Sequence, residues 1–568
     1  MKRVVLMAAL MAVVMVVAAC GTGADAPATG AAGGQQGAAP AGEAAGGGDG
    51  AASDRPFSEL SVLTWDRGGI GHVDSANNFF TQWIQEEVLR ELNMQVTFQA
   101  IGRWDEGEVL PTLMAAGEAP DLAMTFNGGM VEHFGNLGGI LDMSPLLEEH
   151  LHRLPSLNSW LDDLLWQNQN PTTNEIFSIM QRRVHTPRMV TNIRADWLEA
   201  LNMDLPTTTD EYINALRAFR DNADVLGVDN LIPLVTTDDI RWRMGGLLET
   251  FIDPSLSDAE IWMYTIGDRH FLLPGYGDGV RLLSQMFDEG LIFPDFPVHT
   301  GDEFTDNLTI ANQVGSYTHN WDQLWRPNPD IMNRLNEVDP NARFVPIDTF
   351  QNPITGQSQK ITYPTSGFHV FIPATSSNPV GALEYLDWMS RLDNRLFLQI
   401  GVEGYHHERI VVDGIETVAM LMVDNDTTEM RVYSPNNIDL TLVINGVDLG
   451  NYYANIAMLT GNYPGIDPAL IMDSYNIAMS NARVPVHHAI PGGTPVSSEF
   501  GPTFQQMTSQ ALTNIIVAPV ENFDAMWEEA VQGMLGAGAQ NALDERRAGL
   551  EAMGISVPDL RPGQLLNP

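Results

Sequence analysis

Trp65-Asp66, Asn127, Trp242-Arg243 and Asn320-Trp321 are the positions where this sequence sets an aromatic ring or an amide in reach of a polar neighbour, mostly at the ends of expected strands. A ring face covers apolar C–H surface while Asp, Asn or Arg adds directional hydrogen bonds, a combination suited to reversible capture. Each position also fits a packing role. Trp65 and Trp321 could plug a core, Asn127 could serve only as a turn residue, and Trp242 and Arg243 could belong to a helix packing face. Trp197 and Trp388 fall inside helical patterns and read as core. Catalytic patterns are weak: there is no His-Glu-x-x-His zinc motif and no phosphate loop. His406-His407 and His487-His488 are adjacent pairs whose side chains diverge on a helix or strand, so neither pair alone makes a metal site. No catalytic residue, metal or cofactor is expected.

The elements that must position these residues alternate. Ser61 to Trp65 has a strand pattern, and Asn77 to Leu92 sets Phe80, Ile84, Val88 and Leu92 four apart on one helical face. Val96 to Ala100 is a second strand, Glu108 to Ala116 a helix stopped at Gly117, and Asp121 to Phe126 a third strand. This order implies an α/β fold with a parallel sheet, whose ligands gather at the carboxyl ends of its strands. A second unit begins near Met189. Thr208 to Glu211 predicts a capping box before the helix Tyr212 to Arg220. Gly279 to Glu289 predicts a helix, Gln313 to Thr318 a strand, Gly367 to Pro373 another strand, and Pro379 to Leu392 a helix with proline at its first position.

Cys20 is the only thiol in the 568 residues. It follows Lys2 and Arg3, an apolar run from Val4 to Val17, and Ala18-Ala19, which is the layout of a secretory signal. The cysteine at the cut site resembles a bacterial lipoprotein signal, which implies acylation, palmitate included, of Cys20 as the new N-terminus. Gly21 to Ser53 is nearly all Gly, Ala, Pro, Gln and Thr, a composition too poor in apolar surface to fold. Such a tether spans roughly 30 Å on average and about 100 Å at full stretch. The formal charge is −43, and removal of Lys2 and Arg3 makes it −43 − 2 = −45. Nucleic acid is not expected as a partner at that charge. Lys360 is the only lysine beyond the signal. An acidic, arginine-dependent composition fits either a saline or alkaline exterior or a codon bias.

Several segments resemble, in order, the extracellular solute-binding proteins of bacterial ABC importers, specifically the carbohydrate-type lipoproteins. They are Ala115-Ala116-Gly117-Glu118-Ala119-Pro120-Asp121-Leu122, Leu141-Asp142-Met143-Ser144-Pro145-Leu146, and Ile193-Arg194-Ala195-Asp196-Trp197-Leu198. Phe287-Asp288-Glu289-Gly290, Val314-Gly315-Ser316-Tyr317 and Ala382 to Met389 with Gly401-Val402-Glu403-Gly404 continue the series, which runs from about Leu60 to Gly404. The resemblance adds Glu403 and Tyr405 as site candidates, each of which a simple loop role would also explain. It implies a two-lobed periplasmic-binding-protein-like type II fold with a hinge between the lobes. The expected organisation is a signal peptide over 1–19, a tether over 20–56, and a first lobe over 57–188. A second lobe over 189–365, a return to the first over 366–405, and mainly second-lobe structure with C-terminal helices over 406–568 complete it.

The function so implied is that of a monomeric, lipid-anchored extracytoplasmic receptor. It would capture an oligosaccharide, or another small solute, by hinge closure and deliver it to a membrane ABC permease. A surface glycoside hydrolase, whose carboxylate pair the sequence cannot reveal, and a binding module feeding a sensor are the alternatives. Some relatives carry an Asp/Gly-rich calcium turn where this chain has Gln167-Asn168-Gln169-Asn170-Pro171. That stretch lacks the carboxylates a hard cation needs, and Asp424-Asn425-Asp426 with Glu429 lacks the spacing.

Overall fold

Capping residues, glycine and proline set the borders of the helices in both lobes, and apolar spacing sets which face is buried. The helix Phe79–Leu92 opens on a capping box, in which Asn78 accepts the Phe80 and Thr81 amides and Thr81 Oγ1 accepts the Asn78 amide. It closes on Asn93 in the left-handed conformation and buries Phe80, Ile84, Val88 and Leu92, the expected face. Each such side chain contributes about 1.5–3 kcal/mol. Glu106–Ala116 ends at Gly117 with φ 70°, and Thr209–Asp221 carries the expected Thr208/Glu211 capping box. Pro379 opens the helix Pro379–Ser390.

The computed structural model describes residues 55–566 except 67–73, 162–168, 171–172, 327–328, 413, 422–438, 462, 464, 489 and 491–492. The signal segment, Cys20, nearly all of the tether, Gln167-Asn168, Pro171 and the Asp424 to Glu429 loop lie outside the described residues. The chain divides into two units, Met1–Ala51 and Ala52–Pro568.

Two sheets organise the larger unit, Ala52–Pro568. In the first, Ser58–Asp66 pairs in parallel with Met94–Gly102 and bridges in parallel to Leu122, just before Ala123–Thr125. Ser366–Phe371, returning from much later in the chain, inserts antiparallel between Ala123–Thr125 and Ile179–Arg183. In the second sheet the order is Ile232–Val235, Val314–Asn320, Met189–Arg194, Phe344–Ile347. Each sheet has its own core. One gathers Leu60, Val62, Trp65, Phe368 and Trp388; the other sheet is packed on both faces, with Trp197, Tyr212 and Phe219 in one cluster and Val314, Tyr317 and Trp325 in another. Trp197 and Trp388 are buried as expected. The architecture is therefore the two-lobed α/β periplasmic-binding fold. Strand Ile444–Asn445 pairs with Ile179–Arg183, and Leu440 to Ile444 join the first core, so part of the stretch after residue 405 packs in the first lobe. The long helix Pro495–Val517 packs Phe504, Leu512 and Ile515 into the second.

Connections between the lobes are bonded to one another. The chain passes from the first sheet to the second over residues 184–188 and back over residues 362–365. The Arg183 amide donates to Thr365 O (2.8 Å), Val184 to Asn445 O (2.9 Å) and Tyr363 to Thr186 O (2.9 Å). Adjacent extended segments of this kind can twist together without losing their mutual hydrogen bonds. They form a hinge.

Candidate functional site

A cleft of about 2330 Å³ lies between the lobes, more than twice the roughly 300–1,000 Å³ that suits a drug-sized ligand. Its first-lobe wall includes Phe126, Asn127 and Gly128, its second-lobe wall Trp242, Arg243 and Asn320, and its floor Arg183, Arg188 and Tyr363 from the two crossings.

Tyr363 is the centre of the floor. Its hydroxyl donates to Asn320 Oδ1 (2.8 Å), its ring lies 5.6 Å from that of Trp242, and the Arg183 guanidinium sits over it at 4.4 Å. Arg188 stands 5.3 Å above Trp242 and donates to Glu249 (2.5 Å); His270 Nδ1 lies 3.5 Å from the same carboxylate. Arg326 is paired with Asp322 at 2.7 Å. Burial pushes the Tyr363 hydroxyl above its ordinary pKa, against the pull of Arg188, Arg183 and Arg326. It stays a neutral donor.

The cleft is far more cationic than the rest of the chain. Ten arginines and nine carboxylates line it, whereas the whole sequence has 29 basic against 72 acidic residues. Several of the ten are neutralised: Arg243 pairs with Asp302 and Arg483 lies 3.5 Å from Asp258. Burial pulls Arg269 and Arg546 down to about 10, which leaves both charged at neutral pH. On the first-lobe wall, burial raises Glu106 to about 7 despite bonds from the Phe126 amide and Thr125 hydroxyl. Burial also lowers His369 to about 4, so that it is a neutral partner of Ser178 Oγ (2.8 Å). Among the described residues no group of three His, Cys, Asp or Glu side chains could hold a metal ion.

The structure brings together Asn127, Trp242, Arg243 and Asn320 of the expected site residues on the cleft wall, with Trp321 reaching it only by an edge. Asn127 also caps the helix Gly128–Asn136, accepting the Met130 amide at 3.0 Å. Other expectations are corrected. Trp65 is 2% exposed, with Phe126 stacked on it at 5.1 Å and Phe368 edge-on, so it packs the first-lobe core and neighbouring Asp66 is not on the wall. Trp321 is 7% exposed, with Tyr475 and Tyr463 edge-on at 5.3 and 6.2 Å; it packs behind the wall and offers no open face. Glu403 and Tyr405 stand outside the cleft, where Glu403 pairs with Arg409 at 3.1 Å on an exposed turn. Sequence reasoning missed Arg183, Arg188 and Tyr363. A signal was present: Arg182, Arg183, His185 and Arg188 form a basic cluster in an acidic chain, at the point where one lobe gives way to the next.

Two α/β lobes around a deep cleft, joined by hydrogen-bonded crossings, define the fold of the solute-binding proteins of ABC transporters. The alginate-binding protein AlgQ2 shares it, with a TM-score of 0.62 at 16% identity over 88% of this chain and 99% of that one. Among curated proteins of Bacillus subtilis (strain 168), Lipoprotein LipO is 24% identical over 323 residues, 54% of this chain and 59% of its own. The polygalacturonan/rhamnogalacturonan-binding protein YtcQ is 25% identical over 272 residues, 46% of this chain and 51% of its own. The chain thus spans about half the length of the curated relatives it matches. No family model matches it.

Proposed function

We propose that this protein is the extracytoplasmic receptor of an ABC import system, which encloses an oligosaccharide between its lobes and hands it intact to a membrane permease. The observation that carries this reading is the cleft floor, where Trp242 and Tyr363 sit beside Asn320 on hinge and second-lobe segments, opposite the Asn127 wall of the first lobe. A pyranose face of roughly 60 to 100 Å² covering Trp242 is worth about 1.5–2.5 kcal/mol, against the roughly 8 kcal/mol of a micromolar complex. Polar wall residues supply the remainder, and contacts to both lobes stabilise closure. The carbohydrate-binding names of YtcQ and AlgQ2 support a saccharide ligand, and LipO supports a lipoprotein. The monomeric chain is held to the membrane by lipid on Cys20. No described helix is long and apolar enough to cross a membrane.

A thermal-shift screen against oligosaccharides tests the reading. Ligand at a hundred times its dissociation constant adds about 2.7 kcal/mol of stability, with compaction by small-angle scattering and the sugar recovered intact. Steady release of cleaved sugar would replace receptor by hydrolase. Failure of the loaded protein to stimulate any importer would favour the sensor.

A further inference from the structure

Three guanidiniums surround Tyr363, and they are not equivalent. Arg188 is neutralised by Glu249 at 2.5 Å and Arg326 by Asp322 at 2.7 Å. Arg183 has no carboxylate within ion-pairing distance among the described residues, and its Nε is buried without a hydrogen-bond partner. Its fixed contact is the Tyr363 ring at 4.4 Å, which orients the planar group and attracts it through the ring quadrupole. The side chain sits at the end of strand Ile179–Arg183, whose amide bonds to Thr365 O hold it at the hinge. It lines the cleft over Tyr363, whose ring is also 5.6 Å from that of Trp242. In a chain with 72 acidic residues, this half-buried cation has no carboxylate partner at the floor of the cleft among the described residues. A charge so held is costly until an anion meets it.

The second-lobe wall repeats the situation independently. Arg269 is held by the carbonyls of Gly267 and Asp268 at 3.4 and 3.5 Å, its Nε buried and unbonded. Arg241 lowers the Arg269 pKa against the pull of Asp239 and Asp268, and among the described residues its one ion pair is with Asp239 at 4.0 Å.

We infer that Arg183, seated on Tyr363 in the cleft that Trp242 also lines, is an anion-binding subsite that takes a negatively charged group borne by the sugar, a uronate carboxylate or a sulfate ester. Arg269 with Arg241 takes a second such group further along the chain. The planar guanidinium matches either group through paired N–H donors. The inference rests on the receptor reading and narrows its substrate class to acidic oligosaccharides.

Calorimetric titration of the purified full chain tests it with four probes: an oligogalacturonide, its methyl ester, a sulfated chondroitin oligosaccharide and a neutral malto-oligosaccharide. The acid, the sulfated probe or both should bind, and where the acid binds, its methyl ester should be weaker by about 30-fold or more. Added salt should weaken the anionic probes and leave the neutral one unchanged. Arg183→Gln should remove the preference for charge without lowering the thermal midpoint of the ligand-free protein, and Arg183→Lys should keep part of the preference. If Arg183→Gln fails to fold, the charge preference of the native chain decides alone. Equal binding of acid and ester, or neutral sugar binding best, overturns this subsite and leaves the receptor standing. Binding of no probe overturns the subsite, and failure of the full oligosaccharide screen overturns the receptor as well.

Discussion

Removing the Glu132 carboxylate should shift the lobes apart in the ligand-free protein. Glu132 lies on the first-lobe helix Gly128–Asn136. It accepts the Thr494 amide at 3.1 Å and the Ser498 hydroxyl at 2.9 Å, both at the start of the second-lobe helix Pro495–Val517. Close approach is permitted by glycine: a side chain at Gly493, where φ is 71°, would meet Glu132, and one at Gly129 would press on Ser498. Each hydrogen bond to a charged acceptor contributes about 1.5–3 kcal/mol when buried. Glu132 is half-buried and regains water when the lobes part, so about 2 kcal/mol for the pair is reasonable, a factor of about 30 in the closed-to-open ratio. Glu132→Ala loses both acceptors and Glu132→Gln keeps one uncharged acceptor, so the second variant should fall between. With Cys20→Ser, the pair Glu86→Cys on the helix Phe79–Leu92 and Asn214→Cys on the helix Thr209–Asp221 accepts a donor and an acceptor dye. Single-molecule energy transfer should show longer distances in Glu132→Ala. An unchanged distance distribution would refute the reasoning and make the contact incidental to lobe position.

Trp242→Ala should weaken oligosaccharide binding by about 10- to 50-fold, the loss of one stacking face; calorimetry that finds native affinity would remove Trp242 from the site. Trp321→Ala, which empties a buried position, should lower stability by about 3–5 kcal/mol in denaturant unfolding, and a native midpoint would show that the ring is not packed. Burial, with the nearby Asp302 charge, raises Asp306 from 3.8 to about 7, so the folded state keeps a proton that the unfolded state gives up. Stability is then full below about pH 4 and falls by up to about 1.4 kcal/mol per pH unit as pH rises toward 7. Asp306→Asn should remove that slope and gain on the native protein most at pH 8; parallel pH profiles would contradict the assignment. Cys20→Ala should release the protein from membranes in cell fractionation with ligand affinity intact, and lost affinity in the soluble form would show that Cys20 does more than anchor.

Much of the fold was legible because its borders are local. Asn78, Thr208, Gly117 and Pro379 act on backbone groups within a few residues, and the Phe80, Ile84, Val88, Leu92 stripe needs only the helical period. The sequence could not say which aromatic at a strand end faces solvent. Trp65 and Trp242 stand next to similar polar neighbours, yet Phe126 and Phe368 close over the first while the second keeps its place on the cleft wall. That difference comes from residues about 60 and 300 positions away from Trp65. Periodicity cannot carry it.

By itself the sequence indicated the class of architecture, since alternating strands and helices bury their apolar faces as α/β layers and the ordered series of solute-binding-protein segments implied two lobes. It also determined the charge imbalance and the solitary thiol. Tertiary structure decided the site. Arg183, Trp242, Asn320 and Tyr363 line one cleft only because the chain crosses between the lobes at residues 184–188 and returns at residues 362–365, and the hydrogen bonds between those crossings fix how the side chains meet. Which arginine lacks a counter-ion is likewise a matter of distance in space. Charge composition, however lopsided, does not record it.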